Sequence, residues 1–448
     1  MRITDLTKGS VVGKILVVAI PAVLTSLVQM TYNITDMFWI SRVTTIGIDN
    51  TKALAAVGTA GYYLWMGYGF ILLTQIGLDA FVPQSAGKKD EKSLNRYVVS
   101  GLVMTLVIAF LYSMFGFLLR NQIIGIFNID DPLVVKYALQ YLSIISLFVY
   151  FHFLNPTFSS IFNGLGKSVI PLVVNTVGIV LNVILDPIFI LVLGKGVQGA
   201  AIATIISQFT VTVIFIIIFS TKKRPIKLNF RKVSITSMKS MLKISTPMAI
   251  QSLSFTLISV YIGVIVATFG ATALATQRLG TQIESLAWMV AGGFRVALAA
   301  FVGQNLGAEL YDRVKEGYFK ILIPLVTYGL FINGVLYFGA GTLMRIFNPS
   351  AEVFRLGVDY LRILSLSQLF MVIEIATSGA FNGAGINKPP SLVGIVFNIL
   401  RIPGAIILAK FYGIDGIWWA ITISSVFKGT ILLIWWINTM RRKRYVTI

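Results

Sequence analysis

Twelve apolar stretches, each long enough to cross the hydrocarbon of a bilayer, dominate the 448 residues of this chain. A membrane-spanning helix needs about 20 such residues. The runs fall near 14–43, 54–83, 97–119, 133–158, 168–193 and 197–220, and again near 242–269, 281–305, 318–343, 354–379, 389–411 and 416–438. In hydrocarbon each backbone N–H and C=O must be satisfied within the protein, so runs of this length fold as helices. Hydrophobic residues make up 56% of the chain and charged residues 12%, with a mean hydropathy of +0.84, which leaves too little polar surface for a soluble fold. The expected fold is an all-α polytopic membrane protein with twelve transmembrane helices.

The twelve runs are two sets of six, because the sequence repeats. Phe81-Val82-Pro83-Gln84-Ser85-Ala86-Gly87 returns 220 residues later as Phe301-Val302-Gly303-Gln304-Asn305-Leu306-Gly307. Ile126-Phe127-Asn128 recurs as Ile346-Phe347-Asn348, and Phe162-Asn163-Gly164-Leu165-Gly166 as Phe381-Asn382-Gly383-Ala384-Gly385. The division this implies is a lobe at 1–220, a basic linker at 221–240 and a second lobe at 241–448. Six is an even number, so both halves start on the same side and are related by a pseudo-two-fold axis along the membrane normal. Such a duplication usually frames a binding site between two bundles, which points to transport.

The formal charge of +20 follows membrane orientation. Between Lys222 and Lys243 stand eight Lys or Arg and no acid, and Arg441-Arg442-Lys443-Arg444 closes the chain, whereas Asp130, Asp131 and Asp415 fall in the alternate loops. The positive-inside rule therefore places both termini and the linker in the cytoplasm of a cell or inner membrane. Orientation accounts for the basic residues without a nucleic-acid partner. The first apolar run is expected to be kept as a span, since it is too long and too polar within for a cleavable signal. The chain has no cysteine, which excludes disulfides and thiol chemistry. It also offers no phosphate-binding loop, no metal triad and no Ser/His pair on neighbouring runs, so neither an enzyme, a cofactor nor direct use of ATP is expected.

Two carboxylates inside apolar runs of the first half have no counterpart at the matching positions of the second. With Pro21 matched to Pro247, Asp36 falls opposite Ile262; with Asn182 matched to Asn398, Asp186 falls opposite Ile402. Placing a carboxylate at membrane depth costs about 2.5 to 3.5 kcal/mol on insertion scales, so such residues mark function. Gln29, Tyr32, Asn33 and Asp36 share one helical face of the first run, and Asn175, Asn182 and Asp186 share one of the fifth. Pro187 lacks an N–H and leaves the Val183 carbonyl without its helical donor within a turn of Asp186, and Pro21 permits a bend in the first run.

These residues sit in ordered motifs. Tyr32-Asn33-Ile34-Thr35-Asp36-Met37-Phe38-Trp39-Ile40-Ser41, Asn182-Val183-Ile184-Leu185-Asp186-Pro187-Ile188-Phe189, Gly199-Ala200-Ala201-Ile202-Ala203-Thr204 and Val302-Gly303-Gln304-Asn305-Leu306-Gly307-Ala308 occur in that order. Through them the chain resembles the multidrug and toxic compound extrusion (MATE) transporters over nearly its whole length, and within them most nearly the prokaryotic DinF-like branch. The resemblance implies a cation-coupled antiporter exporting organic, often cationic compounds by alternating access, its coupling ion H+ or Na+. It implies a cation site at Asp36, Asn182 and Asp186, with Gln29, Tyr141 and Thr204 as supporting neighbours. A Na+ ion would take Asp36, Asn182, Asp186 and Thr204. Partners are then small organic substrates and membrane lipids, with no nucleic acid and no obligate protein.

Glu374 is the reserve candidate for a cation site in the second half, and Glu284, near the start of the eighth run, is expected to face the interface. Asp79 is expected at an interface, His152 in packing, and Arg295 and Arg401 at a lobe interface or cavity mouth. Met30, Met37, Phe38, Tyr62 and Trp65 are candidates for the wall of a cavity that suits flat apolar cations. The alternative function is a lipid-linked precursor flippase, which would need a cavity rich in Arg and Lys to grip pyrophosphate.

Overall fold

The computed structural model describes residues 4–221, 226, 228–347, 350–442 and 445, apart from the side chains of 33, 34 and 45. Residues 222–225 and 227 of the basic linker lie outside the described residues, as do residues 443 and 444 of the C-terminal basic cluster. Helices α1 (Val11–Ile40), α2 (Asn50–Gly87), α3 (Glu91–Leu118), α4 (Arg120–Gly125), α5 (Pro132–Leu147), α6 (Val149–Gly164), α7 (Val169–Pro187) and α8 (Gly196–Ser220) form the first half. The second half consists of α9 (Ile235–Ala267), α10 (Ala271–Gly307), α11 (Tyr311–Phe338), α12 (Ala340–Arg345), α13 (Ala351–Gly383), α14 (Lys388–Tyr412) and α15 (Ile414–Arg441). The six-residue helices α4 and α12 are repeat partners, starting 220 residues apart, so the duplication extends to the connections.

Eleven of these helices are long and apolar enough to cross a membrane, and α5 with α6 supplies a twelfth crossing. This is the all-α membrane fold expected. The fourth crossing departs from expectation in shape. The run expected at 133–158 is a pair of helices bent by 51° at Phe148, although no proline or glycine stands at the break. There Phe151 N–H reaches back only three residues, to the Phe148 carbonyl at 3.3 Å. Its repeat partner α13 runs unbroken for 33 residues.

Aspartate caps start three helices of the first half. Asp49 accepts from the backbone N–H of Thr51 and Lys52 at α2, and Asp90 from those of Lys92 and Ser93 at α3. Asp131 accepts from Leu133 N–H at 2.9 Å, with Pro132 in the first turn of α5, where a missing N–H costs nothing. Lys52 bridges Asp131 at 2.7 Å and holds that carboxyl below its usual range.

The chain resolves into two compact units, residues 24–245 and residues 5–23 with 246–448. The division falls inside α1 and α9, close to Pro21 and Pro247. In the first unit, apolar clusters include Ile40, Tyr63, Tyr112 and Phe153, and separately Leu78, Phe81, Phe162, Phe215 and Met241. The Tyr63 and Tyr112 rings stack, and each hydroxyl donates to the other residue's carbonyl, at 2.8 and 2.6 Å, so two phenols are buried with no unpaired polar tip. In the second unit, Leu6, Ile15 and Val18 pack with Leu298, Phe301 and Leu325. Gln304 Oε1 accepts from Leu6 N–H at 3.0 Å, and Arg313 donates to the Gly9 carbonyl at 2.9 Å, which ties the start of the chain to α10 and α11. Gly379 and Gly383 bring α13 against α10 so closely that a Cβ at either would strike the Arg295 or Ala299 carbonyl oxygen, the small-residue packing that membrane helices use in place of a hydrophobic drive.

Candidate functional site

The first-half polar stripes of α1 and α7 meet in the first unit. Helical spacing puts Asn182 one turn before Asp186, and its amide Nδ2 donates to Asp186 Oδ1 at 3.0 Å. Thr204, two turns into α8, donates through Oγ1 to Asp36 Oδ2 at 3.3 Å. The two carboxyl groups are close neighbours, and Asn182 also neighbours Asp36. Asn182 and Asp186 are fully buried, and Asp36 and Thr204 nearly so. The Tyr32 hydroxyl abuts Gly178 of α7, a position where a side chain would collide with it. α7 ends at Pro187 and passes into a π-helical turn at Ile188–Val192, where Leu193 N–H bonds five residues back to the Ile188 carbonyl at 2.8 Å.

Asp36 and Tyr141 open onto a cavity of about 450 Å³ that Met37, Trp65, Tyr68 and His152 also line. Of the expected wall residues Met37 and Trp65 are in place, whereas Phe38 and Tyr62 are about half exposed and line no part of this cavity. Gln29 is exposed on α1, two turns before Asp36. The Asn175 amide is occupied by the Pro171 carbonyl of its own helix at 2.7 Å. Helical phase therefore named the right face, while distance along the helix decided which of its polar residues reach Asp186.

Three other expectations change. Glu284 is buried, accepting from Tyr360 Oη at 2.8 Å and Gln368 Nε2 at 2.6 Å, because α10 begins ten residues before the apolar run that set its expected depth. Asp79 is buried in α2, hydrogen-bonded by Ser160 of α6. Glu374, the reserve candidate, is engaged by Lys428 at 3.1 Å. Arg401, Glu374 and Lys428 line one cavity of the second unit with Glu284. Lys428 was the missed signal, a charged residue within the last apolar run.

Residues 21–188 and 247–407 match the MatE family, which covers most of both halves. A Thermotoga maritima protein described as a probable multidrug resistance protein NorM is 24% identical over 450 residues, covering 96% of this chain and 92% of that one. A Bacillus subtilis protein described as a probable multidrug resistance protein YpnP is 24% identical over 442 residues, with 96% and 95% covered. A crystal structure of MATE in the straight conformation superimposes with a TM-score of 0.90 over 99% of each chain, at 19% identity. With both duplicated halves matched, the chain belongs to the MatE family of secondary membrane transporters.

Proposed function

We propose that this transporter is a cation-coupled antiporter of the DinF-like branch that exports organic, often cationic compounds, with Asp36, Asn182 and Asp186 holding the coupling ion. One observation carries the reading. Asp36 Oδ1, Asn182 Oδ1 and Asp186 Oδ2 are three buried acceptors, in adjacent side chains, to which no donor is directed among the described residues. Buried acceptors left so are costly, and a proton or Na+ supplies what they lack. Binding it neutralises buried charge and shifts the balance between outward-open and inward-open states by its difference in affinity for the two. A hundredfold difference supplies about 2.7 kcal/mol, enough to reverse a modest bias. The adjoining cavity, with its Trp65, Tyr68 and Met37 walls, suits flat apolar cations, in keeping with the multidrug descriptions of the two relatives.

Between the ions, the proton fits better. Two adjacent carboxylates share a proton readily, whereas Na+ calls for several oxygens around it, and Asp36, Asp186, Asn182 and Thr204 offer only four side chains, already joined in two pairs by the bonds above. Substrate efflux from sodium-free vesicles should run on an imposed pH gradient alone. Efflux that stays absent until Na+ is added, and then proceeds with the pH gradient collapsed, would reassign the ion to Na+ and leave the site in place.

The same reading puts both termini and the linker in the cytoplasm, by the asymmetry of basic loops. A single cysteine at Ser234 should resist membrane-impermeant labelling of intact cells, and one at Asp130 should be labelled. The reverse pattern would overturn the orientation.

A further inference from the structure

His152, the only histidine of the chain, stands in the first turn of α6, just past the bend at Phe148. It lines the cavity onto which Asp36 and Tyr141 open. The position 219 residues on, by the offset that relates Tyr141 to Tyr360, is Met371, and Met371 lines the cavity of the second unit. Both halves keep this place on a cavity wall. The unit that carries the Asp36 and Asp186 pair fills it with an imidazole, and the unit that lacks the pair fills it with a thioether. Methionine packs irregular gaps as well as any side chain but takes up no proton, whereas imidazole both gains and loses one near neutral pH.

A polar seam between α6 and α8 leads away from the carboxylates past this ring. Thr204, Gln208 and Thr212 recur every four residues and so share one face of α8. Thr204 holds Asp36 at 3.3 Å. One turn on, Gln208 is the side-chain neighbour of His152, and its carbonyl accepts from Asn155 Nδ2 at 3.1 Å. A further turn on, Thr212 donates to Asn155 Oδ1 at 2.7 Å, and Ser159 donates to the Asn155 carbonyl at 2.9 Å. The seam thus runs from Asp36 toward the ends of α6 and α8 at Gly164 and Ser220, the cytoplasmic ends in the orientation proposed above. Asn155, Thr212 and Ser159 are neither acids nor bases near neutral pH, which leaves His152 as the carrier of charge on it. The titratable groups around the ring are Asp36 of α1, with Asp186 of α7 beside it, Tyr68 of α2 and Tyr141 of α5, while Tyr112 of α3 packs on the adjacent Phe153. No Lys or Arg lines this cavity among the described residues, so an imidazolium formed there meets carboxylates and no other cation.

We propose that His152 is the proton carrier between the carboxylate pair and the cytoplasm, accepting the proton that the pair gives up and passing it inward along α6. In the first step a carboxyl O–H bond breaks and leaves its electron pair on oxygen, and a ring nitrogen of His152 forms the new N–H. The cavity of about 450 Å³ has room for waters to bridge the two groups. The products are a carboxylate and an imidazolium, which attract each other strongly where water is scarce, so the charge separation is held within one cavity. In the second step the imidazolium loses its other N–H proton to water on the cytoplasmic side, and the neutral ring is restored. One proton moves and nothing else is consumed. The inference rests on the proton-coupled reading above and adds the route by which the proton leaves.

The test is export of ethidium, a flat apolar cation, by the purified full-length protein in sodium-free vesicles under an imposed pH gradient. His152→Met installs the residue that the second half carries at this place. It should fold as the parent does and lower the initial rate by about tenfold or more, less than the usual hundredfold for a lost acid–base group because water still carries part of the proton flux. His152→Ala should be as slow, and it opens space in the cavity wall for a small ring. Added imidazole should return much of the lost rate, whereas thiazole, a ring of the same size that takes up no proton near neutral pH, should return none. His152→Met exporting at the parental rate overturns the proposal, as does rescue by thiazole equal to that by imidazole, which is what a packing role gives. Should one variant not fold, the other decides alone. The two readings also fail separately. A His152→Met protein at the parental rate beside an inactive Asp186→Asn sinks the carrier and keeps the coupling site, while an Asp186→Asn protein at the parental rate sinks the coupling site whatever His152 does.

Discussion

Asp186→Asn is expected to abolish gradient-driven export, by about a hundredfold or more, while the protein still folds. Asparagine keeps the shape of the side chain and its capacity to bond Asn182, which now donates to Asp186 at 3.0 Å, but it cannot take up and release a proton. Asp36→Asn is expected to do the same, since Asp36 holds the Thr204 hydroxyl at 3.3 Å from one oxygen and leaves the other without a donor. The controls are the repeat partners. Ile262 is 3% exposed in an apolar cluster, so Ile262→Asn should lower stability by about 1 to 3 kcal/mol, the cost of an unpaired buried amide, and impair coupling less. Substrate efflux from vesicles, read beside thermal denaturation of each variant, separates the two effects. Export by Asp186→Asn at the parental rate would remove the coupling site from the first unit.

Lys428→Met should destabilise the fold by about 3 to 5 kcal/mol, the usual penalty for removing one partner of a buried ion pair. The side chains of Lys428 and Glu374 are 8% and 11% exposed and lie 3.1 Å apart, so the variant strands a carboxylate in a poorly solvated place. The double variant Lys428→Met/Glu374→Leu should regain most of the loss, because a buried pair replaced together by apolar residues costs little. Denaturation of the parent, both single variants and the double variant gives the coupling energy. A Lys428→Met protein as stable as the parent would show that Glu374 is compensated by another group of the same cavity.

Hydropathy and repeat spacing made the architecture legible before any coordinate, because a bilayer admits helices of about 20 apolar residues and little else. They also singled out Asp36 and Asp186, since a carboxylate in an apolar run has a cost that composition alone reveals, while Asn182 joined them as a candidate through the family resemblance. Spacing was weaker on depth and on partners. Gln29 shares the face of Asp36 by periodicity and yet is exposed two turns away, and Glu284 was judged from the edge of an apolar run when its helix began ten residues earlier. The bend at Phe148 has no proline or glycine to announce it. What the sequence by itself determined is the set of spans, their duplication and the face each intramembrane polar residue occupies, because these depend on the period of a single helix. What only the tertiary structure decided is which helix covers that face: Thr204 against Asp36 from 168 residues away, Gln368 against Glu284, Lys428 against Glu374. A helix's period says where a side chain points, and the physical identity of what it meets is set by packing between segments far apart in the chain.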